Sequence, residues 1–86
     1  MATHESAKKR TRQSLVRRAR NRDKRSRVRR AIRLARAAIE SGDSSAATSA
    51  VRQAESLLRR ASSKGVLHRK TVSRQVSRLV KAAQGL

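Results

Sequence analysis

The side chains of this sequence that could move a proton or hold a metal ion are few and scattered. There are two histidines, His4 and His68, and five carboxylates, Glu5, Asp23, Glu40, Asp43 and Glu55. General acid–base catalysis needs positioned groups within hydrogen-bond reach of a substrate. The spacing offers no carboxylate pair, no nucleophile elbow and no phosphate-cradling glycine loop. With no cysteine in the chain, thiolate metal sites and disulfides are excluded, and two distant histidines make a poor ligand set. The expectation is no catalytic residue, no metal, no cofactor and no small-molecule substrate, so the chain is not read as an enzyme.

The chemistry that is abundant is anion binding. The 86 residues carry 24 Lys plus Arg against five Asp plus Glu, a net charge of +19. Self-repulsion on that scale opposes compaction, and no soluble fold requires it. A polyanion is the expected partner, and a phosphate backbone is the common one. Residues 1–36 hold 15 basic against two acidic side chains, or +13, and residues 37–86 hold nine against three, or +6. The densest run is Lys8, Lys9, Arg10, Arg12, Arg17, Arg18, Arg20, Arg22, Lys24, Arg25 and Arg27, which steps around the whole circumference of a helix. Arg29, Arg30, Arg33 and Arg36 continue that surface. A solvated charged helix normally mixes signs and gains from i,i+4 ion pairs; here Asp23 stands almost alone among like charges.

A second group opens the last helix. His68, Arg69 and Lys70 place positive charge where it opposes the helix dipole. An anion there reverses that cost by meeting both the side chains and free backbone amides. Arg74 and Arg78 extend the site by one and two turns, and Lys81 carries charge toward the third.

Three helices must position these groups. The stretch from Glu5 to Ser41 has neither glycine nor proline, the two residues that interrupt helices. Thr3 or Ser6 is its candidate N-cap, with Glu5 at the positive end of the dipole. Between Lys8 and Arg27 the apolar residues are only Leu15, Val16 and Ala19. From Val28 the pattern changes to Val28, Ala31, Ile32, Ala35, Ala38 and Ile39, a core-facing stripe. Gly42 suits a left-handed helix end, and Asp43 or Ser44 can cap the next helix. That second helix carries Ala47, Ala50, Val51, Ala54, Leu57, Leu58 and Ala61. Gly65 is the second stop. The third helix begins between Val66 and Val72, with Val72, Val76, Leu79, Val80 and Ala83 facing inward and Gly85 at its end.

The fold class is therefore all-α: an antiparallel three-helix bundle with a long, projecting first helix, in one domain over residues 1–86. The helices are placed at about 5–41, 44–62 and 68–83. The core must be thin, because Val, Leu, Ile and Ala build it without a single aromatic residue. The same absence weighs against recognition of single strands by base stacking. No apolar run approaches the length of a membrane span, and the opening residues lack a signal-peptide core, so the chain is read as cytoplasmic. Like-charge crowding predicts that residues 6–27 depend on a bound polyanion for their order.

Four blocks span nearly the whole chain: Ser6-Ala7-Lys8-Lys9-Arg10, Asn21 with Arg25-Ser26, Ala38-Ile39-Glu40-Ser41-Gly42-Asp43, and Lys64-Gly65-Val66-Leu67-His68 continuing to Arg74 and Ser77-Arg78-Leu79. Together they resemble the bacterial small-subunit ribosomal protein twenty family. The sequence departs from the family pattern at Lys70, Val72 and Val76. The resemblance implies a structural protein of the small ribosomal subunit, located in the ribosome, that binds 16S ribosomal RNA directly, mainly its 5′ domain. Other small-subunit proteins are possible neighbours. By position it implies RNA-facing roles for Lys8, Lys9, Arg10, Asn21, Arg25, His68, Arg74 and Arg78. Arg59, Arg60 and Lys64 suit the negative C-terminal end of the second helix, and Lys64 is counted with the RNA-binding residues. The alternative is a nonspecific nucleoid-type DNA-binding protein, but such proteins bring strands or an apolar wedge to the minor groove. A membrane-active helix is disfavoured because residues 8–27 lack a wide apolar face.

Overall fold

The structure, a computed structural model, describes residues 4–86. Thr3, one of the two candidate caps, lies outside them. Among the described residues there are three helices and no strand: α1 His4–Glu40, α2 Ser44–Ser63 and α3 Arg69–Gln84. The first runs unbroken for 37 residues, which at 1.5 Å per residue is about 55 Å of rod.

The turns are set by local chemistry. Gly42 has φ +77°, a conformation that costs other L-residues about 1–2 kcal/mol. Its N–H donates to the Ile39 carbonyl at 3.1 Å, and the Ser41 N–H donates to Ala37 at 3.0 Å. One residue later Asp43 is the N-cap of α2, its Oδ1 accepting from the Ala46 N–H at 3.2 Å. A connection this short makes α2 run back along α1. Gly65, at φ +73°, ends α2 in a Schellman arrangement. The Gly65 N–H donates to Ser62 and the Val66 N–H donates back to Ala61 at 2.9 Å. That places Val66 over the open end of the bundle, where it is buried.

The core has two layers. At the far end Val28, Leu58, Ala61, Val66 and Val72 pack together, with Ile32, Leu57, Leu67 and Val76 around them. Near the first turn Ala35, Val51, Ala54 and Leu79 form the second layer. Ile32 packs against both. Each layer pairs a residue of α1 with residues of α2 and α3 in reversed order, so neighbouring helices are antiparallel. The alanines on α2 lack bulk, which lets backbones approach, and no polar or charged described residue is buried.

Helix α2 is the centre of the bundle. It packs along both neighbours, whereas α1 and α3 meet only lightly and leave a groove between them. Residues 4–20 are all exposed, and the first buried residue of α1 is Val28. The chain measures 62 × 20 × 13 Å with a radius of gyration of 17.5 Å. A compact chain of this length would have about 12 Å. The excess is the rod, the part of α1 before Lys24, which reaches beyond the helices that could cover it.

Candidate nucleic-acid interface

Three groups of cations emerge when the basic residues are placed on this frame. The first is the rod itself. Lys8, Lys9, Arg10, Arg12, Arg17, Arg18 and Arg20 are exposed on all its sides, as are Arg22 and Arg25 nearer the bundle. Asn21 is half-buried and lines a shallow groove with Leu15, Arg18, Ala19, Arg22 and Arg25. Leu15 and Val16 are about half exposed on the rod, at 58% and 48%, and no other helix reaches them. Leu15 and Ala19 therefore form a small apolar patch on the surface, among Arg18, Arg22 and Arg25.

The second group is assembled by folding. Lys24, at the base of the rod, lies beside Lys64 at the end of α2, with Arg27 and Arg60 in the same pocket. Val28, Leu57 and Ala61 are the apolar lining of that pocket. Lys24 and Lys64 stand out separately along the chain, and Arg60 stands out only as a complement to the helix dipole. The closeness of Arg60 to α1 follows from the antiparallel turn and has no signature in the local sequence.

The third group begins α3. His68 is the N-cap, with φ −73° and ψ 139°, and its Nδ1 accepts from the Lys70 N–H at 3.1 Å. A ring accepting at Nδ1 keeps its proton on Nε2, which remains a donor. The site therefore differs from the expectation in one respect: one backbone amide foreseen for an anion is taken by the imidazole. His68 is first a structural cap. Arg69, Lys70, Arg74 and Arg78 are exposed, and no acidic residue occupies the first turn of α3.

Almost nothing within the chain neutralises this charge. Among the described residues two ion pairs form, Asp23–Arg27 at 3.3 Å and Glu55–Arg59 at 2.8 Å, each between positions four apart on one helix. Such exposed pairs contribute little, about 0.3–0.5 kcal/mol. The geometry suits an extended polyanion with closely spaced charges, met by arginine forks and lysine points along more than one face. Among the described residues no group of His, Asp or Glu could hold a metal ion, and no described helix is long and apolar enough to cross a membrane.

Comparison with known proteins gives a consistent result. A family model described as ribosomal protein S20 matches residues 2–84. The chain is 49% identical over 82 residues to a protein of Nitratidesulfovibrio vulgaris (strain DP4), covering 95% of this chain and 94% of that one. It is 51% identical over 83 residues to a protein of Anaeromyxobacter sp. (strain Fw109-5), covering 96% and 92%. With a protein of Dinoroseobacter shibae it shares 48% identity over 86 residues, covering 100% and 98%. All three relatives are named small ribosomal subunit protein bS20.

Proposed function

This chain belongs to the ribosomal protein S20 family, a family of ribosomal structural proteins and not enzymes, and on that premise we propose that it binds 16S ribosomal RNA directly, mainly the 5′ domain, and helps the small subunit assemble. As a member of that family it is a structural constituent of the small ribosomal subunit in the bacterial cytoplasm. One observation carries the RNA-binding reading: a helix about 55 Å long whose residues 4–20 are all exposed, while carrying cations on every side. Phosphates of folded RNA supply what the protein lacks, charge neutralisation and a surface for the rod to lie on. Lys8, Lys9, Arg10, Arg12, Arg17, Arg18, Arg20, Arg22, Arg25 and Arg29 meet the RNA along α1, with Asn21 among them. Lys24 and Lys64 meet it at the base of the rod, and Arg69, Lys70, Arg74 and Arg78 at α3, where Nε2 of His68 is a further donor.

Recognition of this kind works through phosphates and shape, since the chain has no aromatic side chain to stack on a base. A folded RNA offers phosphates on several sides of one cleft; a straight DNA duplex reaches only one side of the rod at a time. The test is competition. Labelled 5′-domain RNA bound to the protein should resist a large excess of duplex DNA and yield to unlabelled 5′-domain RNA. Equal displacement by both competitors would favour the nucleoid reading instead.

A further inference from the structure

The basic residues of α1 are not distributed evenly by type. Arg18, Arg22, Arg25, Arg29, Arg33 and Arg36 recur at intervals of four, three, four, four and three. This spacing aligns them along one face of the helix. Every member of the ridge is an arginine. The ridge leaves the rod and enters the bundle, where its last three members line the groove left between α1 and α3. The walls there are Ser26, Arg29, Ile32, Arg33 and Arg36 of α1 and Gln75 of α3. Arg29, Arg33 and Arg36 are exposed, and none pairs with a carboxylate among the described residues. Gln75 is half-buried, and its Oε1 is fully covered without a hydrogen-bond partner. Arg78, three residues on, stands on the same side of α3.

Two costs coincide in this groove. Three like-charged arginines line one wall, and the covered carbonyl oxygen of Gln75 has no donor, which leaves its desolvation uncompensated. One ligand removes both. A phosphodiester accepts parallel N–H bonds from arginine forks, and a guanidinium has five donors. An arginine turned to hold a phosphate through one edge has N–H groups left to donate to Gln75 Oε1. We propose that this α1–α3 groove is a phosphate seat for the bound RNA, formed by Arg29, Arg33 and Arg36, and that Gln75 is the positioning residue that orients the arginines. This rests on the RNA-binding reading above and extends it to Arg33, Arg36 and Gln75. The seat continues the arginine ridge, so one strand lying along the rod carries its phosphates into the bundle and anchors α3 to α1, which otherwise touch only lightly.

The test uses full-length protein and the 5′-domain RNA. Arg33→Gln with Arg36→Gln should weaken binding by about tenfold or more, as expected for losing charged hydrogen bonds, with unchanged helicity because both side chains are exposed. Gln75→Glu puts a resident anion beside the arginines and should weaken RNA binding about tenfold beyond Gln75→Leu, which removes the same amide without adding charge. The same Gln75→Glu protein, free of RNA, should melt above the Gln75→Leu protein. Gln75→Glu binding as Gln75→Leu does, or the double arginine variant binding within about twofold of wild type, would overturn the seat. A variant with Arg17, Arg18, Arg20 and Arg22 changed to Gln serves as control. If it loses affinity while the groove variants do not, the seat alone fails; if wild type does not hold the RNA, the RNA-binding reading itself fails.

Discussion

The two parts of α1 share an uninterrupted backbone and meet opposite surroundings. From Val28 to Ile39 every third or fourth residue turns into the bundle, and Val28 and Ala35 are buried against α2 and α3. From His4 to Arg20 every residue is exposed. Helix hydrogen bonds are the same in both parts. What differs is the side-chain environment: apolar burial on one side of the boundary, repulsion between like charges on the other. Helices in water owe most of their stability to packing of an apolar face. One helix can therefore be stabilised by its own chain at one end and by its partner at the other.

The contrast is broken most sharply by amide hydrogen exchange on the free protein. Amides of residues 6–27 should exchange about a thousandfold faster than those around Leu58 and Val51, because local opening of the rod exposes no core. Equal protection in both regions would show that the rod has an internal source of stability. Leu58→Ala attacks the other side. Leu58 is 1% exposed, and its truncation should cost about 2–5 kcal/mol, enough to unfold a bundle this thin in a thermal melt. RNA should restore part of the helical signal.

Charge on the rod is tested through salt. Changing Arg17, Arg18, Arg20 and Arg22 to Gln should reduce the slope of log K against log salt by about 3–4, near 0.9 for each phosphate no longer neutralised. The melting of the free bundle should barely move. An unchanged slope would place the interface elsewhere. Smaller effects sharpen the boundary at the turns. Gly65→Ala should cost about 1–2 kcal/mol through its left-handed backbone alone, since nothing lies within 4 Å of the added Cβ. Asp43→Ala should cost about 1 kcal/mol by uncapping α2. Both are read from chemical melts of the free protein. The smallest change is Asp23→Asn, which removes one exposed pair worth about 0.5 kcal/mol or less. Because it also raises the charge of the rod, RNA affinity at low salt should rise slightly as stability falls slightly.

Much of this molecule is legible along the chain because the signals are local. The 3.6-residue period of Val28, Ala31, Ile32 and Ala35 names the buried face, and Gly42 with Asp43 marks a stop and a start within two residues. The start of α3 is less legible. His68 is a weak N-cap by type, and only the observed bond from the Lys70 N–H to Nδ1 explains why the helix begins at Arg69. The same bond makes that histidine a cap first and a phosphate donor second.

Residue type and spacing alone make the chain helical, overwhelmingly cationic, and led by a helix too long and too charged for the rest to cover. Those properties act over a few residues, so they can be read in order along the chain. Which distant cations share a surface is a different matter, settled by folding. Lys24 shares a pocket with Lys64 and Arg60, and Arg33 and Arg36 share a groove with Gln75, only because α2 turns back along α1 and α3 turns back along α2. Proximity across helices depends on turn geometry and on how closely the alanine-rich faces of α1 and α2 approach, and no stretch of neighbouring residues encodes that sum.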